Sequence, residues 1–314
     1  MHHLVEIPKI NFKRYIPQTL ADCNPKQYMD MCELIYMHQT EQISFEQLKL
    51  IAVYKLLNIK QSKKKLTEDD ELSKWANFNE LSNLIDSFFE TSPAGQKTII
   101  QNYIHNPVPS IALWNRFYGP TDSFLNIKFG EYVDALRLFQ EFPKMDTTKH
   151  LYLIAAILYR KKKPFHFIKK RLNNYDGDIR IAYNSKIVDK NALKLQHLPI
   201  GFVYGVYLLL ASFQKFITTA QIPWGGRIID FSILFDSSLK EKEQDDDDET
   251  ELASIGMDSL IFSIAESGAF GNADCVRNTD MWEILIRLYD LRLKDLEQQK
   301  QQEKQKTNDK PATT

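Results

Sequence analysis

The side chains best suited to acid–base chemistry are Asp134, His150, His166 and Asp176. An imidazole exchanges protons near neutral pH, and a carboxylate can orient it. Nothing in their spacing draws them into one site, so an enzymatic reading ranks below a binding one. Nucleotide chemistry has no signature: neither GxxxxGK[ST] nor GxGxxG after a strand occurs. HExxH, paired Cys/His spacing and a GxSxG elbow do not occur either. Asp176-Gly177-Asp178 opens like a calcium loop, but Arg180 stands where an oxygen ligand belongs and the closing glutamate is missing. These residues read as a turn. Cys275 has no histidine near it in sequence and reads as a small buried or half-buried thiol. No catalytic residue, metal or cofactor is assigned.

Two constellations suit binding instead. The first is a basic cluster, Arg160, Lys161, Lys162 and Lys163 with Lys169, Lys170 and Arg171. Phe165 and Phe167 lie between its halves, where they could stack on bases while the cations meet phosphates. The plainer reading is a solvated edge whose aromatics face the core. The second is the stripe Trp282, Leu285, Tyr289 and Leu293 of the last helix, with Phe270 before it, as a candidate partner-binding face. Docking of that stripe on the chain's own body is the simpler alternative. AESGAFG (265–271) reads as a helix corner, with Gly268 as a left-handed cap, Phe270 folded back and Gly271 turning the chain again.

These residues need helices to carry them. Asn24-Pro25 and Ser44 with Gln47 mark two helix starts and predict a helical hairpin over 25–59. Leu72 to Phe89 keeps a 3.6-residue period, ended by Ser92-Pro93. Residues 93–127 read as an irregular, packed loop. Helices are expected over 130–142, ended by Pro143, and over 150–160. Alternation around Asp176-Gly177 (Phe165, Phe167; Ile179, Ile181, Tyr183) allows one small β-hairpin, and a helix pair fits the segment as well. Leu198-Pro199 opens the most apolar helix, to about Thr219, and a short helix is expected over 227–235. Asn278-Thr279-Asp280 offers the cap of the last helix.

The fold class expected is therefore mainly α: a multi-helix bundle with an N-terminal helical hairpin and a C-terminal helix pair. The expected blocks are an extended arm and hairpin over 1–65 and a helical body over 66–236. An acidic disordered linker over 237–251, a helix pair over 252–300 and a disordered tail over 301–314 follow. The 314 residues are 43% hydrophobic and 26% charged, with net charge -1, so no global field favours nucleic acid or membrane. Three cysteines without CxxC spacing point to a reducing compartment. The opening residues MHHLVEIPKINFKRY lack a secretory apolar core. The run Ile200–Phe213 is short for a bilayer and reads as a buried helix, so no membrane partner is expected.

Five segments occur in a set order: GPTDSFLNIKFGEYVDA (119–135), LIAAILYR (153–160), YDGDIR (175–180), Leu198-Pro199 before an aromatic apolar helix, and GMDSLIFSIAESGAFG (256–271). Together they resemble a helical family found in the tail-gene regions of tailed bacteriophages and prophages. Relatives often read Tyr-Arg-Pro where Lys161, Lys162 and Lys163 intervene here before Pro164. The resemblance implies a role in tail assembly, as a chaperone for the tape-measure protein or as a minor virion component. Its partners would then be a protein client or other tail parts, with self-association open, in the host cytoplasm or the virion.

Overall fold

The structure is a computed structural model and describes residues 2–7, 12–59, 68–92, 95, 97–112, 116–145, 148–171, 177–234 and 257–308. The expected acidic linker at 237–251, Asp176, residues 60–67 and residues 309–314 lie outside these. The protein is mainly helical. Among the described residues the α-helices are α1 (Pro25–Gln39), α2 (Phe45–Leu56), α3 (Glu68–Asn83), α4 (Phe129–Met145), α5 (Thr148–Leu158), α6 (His166–Lys169), α7 (Val188–Leu195), α8 (Ile200–Thr219), α9 (Met257–Glu266), α10 (Ala273–Asn278) and α11 (Met281–Asn308). Small antiparallel sheets join β1 (His2–Ile7) to β2 (Phe12–Pro17), β3 (Phe89–Thr91) to β4 (Lys97–Ile99), and β8 (Gln221–Trp224) to β9 (Arg227–Asp230). A three-stranded sheet has the order β5 (Ser110–Ala112), β6 (Arg116–Tyr118), β7 (Arg160–Lys161). The chain groups into two compact units, one of residues 1–124 with 138–213, the other of 125–137 with 214–314. This division departs from the consecutive blocks expected, because tertiary packing ignores order along the chain.

In the first unit, α1 and α2 form the expected hairpin. Each begins with a full capping box: the Asn24 side chain accepts from the Gln27 N–H, and the Ser44 side chain from the Gln47 N–H. Gln27 and Gln47 return bonds to the backbone N–H of Asn24 and Ser44, so orphan donors at each helix start are satisfied. Helix α8 is long and apolar enough to cross a membrane by composition, yet 72% of its most apolar stretch is buried inside the protein. Its glycines let α1 approach closely. The Tyr28 hydroxyl donates to the Gly205 carbonyl at 2.7 Å and lies 2.8 Å from the Tyr103 hydroxyl. Ser212 Oγ accepts from the Tyr103 N–H at 2.9 Å and donates back to its carbonyl. Phe124 stacks on Phe213 with ring centroids 4.2 Å apart.

Several expectations are corrected. The N-terminal arm is the β1–β2 hairpin, with Val5 and Ile16 buried. The third helix stops at Asn83, continues as a 3-10 turn over Leu84–Phe88 and enters β3, so Ser92-Pro93 is not its terminator. The loop expected over 93–127 carries β4, β5 and β6. Helix α4 runs through Pro143 and two residues beyond it to Met145, since a proline there forfeits only one bond near the helix end. The hairpin expected around Asp176-Gly177 is displaced. The Lys163 N–H donates to the Ile179 carbonyl and the Ile181 N–H to the Lys161 carbonyl, both at 2.9 Å, leaving Phe165 and Phe167 outside the ladder.

In the second unit, the short helix expected over 227–235 is instead the β8–β9 hairpin, followed by a 3-10 turn over Phe231–Leu234. Gly225 and Gly226 form its two-residue loop, at φ 55° and 79°, the conformation that twist-matched hairpins require. Gly268 (φ 70°) and Gly271 (φ 85°) take the left-handed region, so AESGAFG is a corner between α9 and α10. Helix α11 continues to Asn308, past the tail boundary expected at 301. The stripe of α11 is anchored at its start: Phe231 packs between Trp282 and Tyr289, with centroids 6.1 Å and 5.8 Å away.

Candidate functional site

Helix α5 ends at Leu158, and the residues after it meet a buried polar cluster. Arg160, Asp178 and Arg180 are all buried. Arg180 Nε donates to both Asp178 oxygens, at 3.0 and 3.2 Å, and its Nη2 to Oδ2 at 3.1 Å. Arg160 Nη2 reaches the same Oδ2 at 3.5 Å. The remaining guanidinium hydrogens seek carbonyls: Arg160 Nη1 donates to Ile157, Arg160 Nε to Ile181 and Arg180 Nη1 to Leu158, each at 2.8 Å. Two cations thus sit at the negative end of the α5 dipole and satisfy carbonyls that a helix leaves unpaired. Next to them, the Tyr159 hydroxyl donates to the Val108 carbonyl at 2.7 Å and lies 3.1 Å from Asn106 Oδ1. A β-carbon on Gly119 would lie 2.4 Å from the Tyr159 ring, so only glycine fits there. Burial pushes the Tyr159 phenol well above its usual range.

A second closure lies in the other unit. Lys128 Nζ donates to Asp280 Oδ1 at 2.7 Å, the Phe129 N–H to the Thr279 carbonyl at 2.9 Å, and the Met281 N–H to the Ile127 carbonyl at 3.0 Å. The Arg277 guanidinium pairs with Asp134, and Gly130 leaves room for the Arg277 backbone. In both closures carboxylates meet guanidinium or ammonium groups; this is the chemistry of a clasp. Three of the residues expected to suit acid–base work lie among the described residues. Asp134 pairs with Arg277, His150 Nε2 lies 3.6 Å from Glu141, and His166 is buried. Among the described residues no three of His, Cys, Asp or Glu group together as metal ligands would.

The basic cluster divides. Arg160 is buried in the α5 clasp, whereas Lys162, Lys170 and Arg171 are exposed, and Lys161 and Lys163 are half-buried. Lys169 closes α6, and its side chain lies outside what the structure describes. The aromatics do not face the core: Phe165 is 71% exposed and Phe167 67%, and the aliphatic Ile168 beside them is 48% exposed. The candidate partner stripe divides too. Trp282 and Leu285 are buried and Tyr289 is half-buried, while Leu293 is 37% exposed. Phe270 is half-buried in its corner. Cys275 is exposed, which corrects the buried or half-buried thiol expected.

No family model, curated protein or solved structure matches the chain.

Sequence reasoning overlooked Ile168, which completes the apolar surface of the α6 turn. Its signal was present: it lies beside Phe167 between two basic blocks, at a place where a core residue has little polar chain to cover it. In the sequence alone, Asp178 and Arg180 read only as part of a turn. Their pairing with Arg160 is a tertiary contact that no local pattern encodes.

Proposed function

We propose that this chain is a non-enzymatic assembly protein that binds a helical protein client. The observation carrying this reading is the fate of the α11 stripe. Its first turns, Trp282 and Leu285, are buried on the chain's own unit, and the helix then continues to Asn308 with Leu293 exposed. A face that starts in a core and runs on into solvent is a seat for one amphipathic helix laid alongside it. The ordered motifs of the sequence add the biological setting, tail assembly in a tailed bacteriophage, with the tape-measure protein as the client. The chain acts in the host cytoplasm during assembly.

The test pairs the full chain with the tape-measure protein of its own tail-gene cluster. Co-expression should give a stable complex on size exclusion, and Leu293→Glu with a second change at the half-buried Leu296 of the same helix, Leu296→Glu, should abolish it while leaving the helical circular dichroism unchanged. Hydrogen exchange should slow over 289–300 in the complex. An unchanged complex in the double variant, or no complex at all, defeats the proposal. Mass spectrometry of finished particles distinguishes a chaperone, which is absent, from a minor structural component, which is present.

A further inference from the structure

The turn from Pro164 to Arg171 exposes more apolar surface than its own packing requires. His166 is buried and anchors the turn, while Phe165, Phe167 and Ile168 on either side point into solvent. Phe165 caps α6 in the left-handed conformation, at φ 53°. A bulky L residue takes that region rarely and at a cost in free energy, and such outliers gather where function holds them. The base of the turn is firm. Lys162 bridges Arg180, and the backbone of Lys161 and Lys163 pairs with Ile181 and Ile179 beside the Arg160–Asp178–Arg180 clasp. The three apolar side chains are therefore held out by an ordered support.

The chain on either side of them carries charge of one sign. Between Asp146 and Asp176 the sequence holds no carboxylate and eight lysines and arginines (149, 160–163, 169–171). Arg160 is spent in the clasp, but Lys162 at the base of the turn and Lys170 and Arg171 just after α6 are exposed. A partner must then be anionic and must also accept hydrocarbon. Single-stranded nucleic acid meets the first need and would stack on Phe165 and Phe167. It has no use for Ile168, which offers no aromatic face. An anionic bilayer meets both, since aromatic and aliphatic side chains enter the headgroup–acyl boundary while lysine and arginine reach lipid phosphates.

We propose that the Pro164–Arg171 turn is a peripheral anchor for an anionic lipid bilayer, with Phe165, Phe167 and Ile168 inserted and Lys162, Lys170 and Arg171 on the phosphates. The expectation of no membrane partner rested on net charge and on span length, and neither weighs a local patch.

The test is sedimentation of the full chain with vesicles of equimolar phosphatidylglycerol and phosphatidylcholine, against phosphatidylcholine alone. Binding should need the anionic lipid and fall steeply as salt is raised to about 0.5 M. The triple variant F165S/F167S/I168S should partition roughly tenfold or more weakly, with unchanged helical circular dichroism. The chain has four native tryptophans, so the readout is the emission of Phe165→Trp minus that of wild type under the same conditions; this difference should shift to the blue on anionic vesicles, and it decides the matter even if the triple variant unfolds. No preference for anionic vesicles, an unshifted emission from Phe165→Trp, or full binding by a folded triple variant overturns the proposal. So does tight binding of a single-stranded oligonucleotide by a chain that ignores vesicles.

Discussion

A β-carbon added to Gly201 of α8 would lie 2.1 Å from the carbonyl oxygen of Met29 in α1. The neighbour is backbone and cannot swing aside, so the two helices meet at a distance only hydrogen permits. In an exposed helix, alanine is about 1 kcal/mol better than glycine. Here the sign reverses: Gly201→Ala should destabilise the protein by roughly 1–3 kcal/mol through overpacking. Gly205→Ala, facing the Tyr28 ring at 2.7 Å, should act in the same direction. Urea midpoints of the two variants check this, and a stabilised Gly201→Ala would refute the close approach.

Asp178 joins two buried guanidiniums. Asp178→Asn keeps the volume and removes the charge, leaving Arg160 and Arg180 facing each other without their shared carboxylate. Breaking a buried ion pair by removing one partner costs about 3–5 kcal/mol. Chemical denaturation should show a loss of that order. A change within experimental error would mean the clasp contributes nothing net.

The tyrosine network sets an alkaline limit. Burial raises Tyr28 and Tyr103 well above the ordinary value of 10.0, and Tyr132 to about 12. The unfolded chain ionises its phenols near 10 while the folded chain keeps them neutral. Stability from these groups is thus complete below about pH 10 and lost as the pH rises through the raised values. On alkaline titration, the tyrosinate absorbance of the buried phenols should appear together with loss of helical circular dichroism. Smooth ionisation ahead of unfolding would contradict this.

Thiol accessibility gives a simple check. Cys23 and Cys32 are buried, with burial pushing Cys23 up to about 12 and Cys32 well above its usual value, while Cys275 is exposed. In native protein near pH 8, a disulfide reagent should titrate one thiol quickly and the other two only after denaturant is added. Cys275→Ser should leave the native protein unreactive.

What sequence made legible was local chemistry. Asn24 and Ser44 revealed their helices because a capping box acts over three residues, and Pro199 marked the start of α8 because its fixed φ and missing N–H suit a helix start. Gly268 declared its corner through a conformation that glycine adopts freely. Gly225-Gly226 carried an equally local hairpin signal, but the apolar run after it resembled a helix of similar length. The strands β3 to β6 have three residues each, too few for alternation to register. The α5 clasp stayed hidden because Arg160 and Asp178 meet only after the chain has folded back. The outward face of Phe165 and Phe167 stayed hidden because aromatics beside cations usually turn inward; here His166 takes the inward position instead.

Residues 125–137 belong to one unit, while the chain on either side of them belongs to the other. During synthesis at about 5–20 residues per second, Phe129 and Asp134 emerge on the order of ten seconds before Thr279 and Arg277, the groups that complete them. For that interval the nascent polypeptide displays an unfinished seam, open to ribosome-associated holding factors and to aggregation. Slower translation lengthens the exposure, so this protein should be recovered in better yield when elongation is fast than when it is throttled.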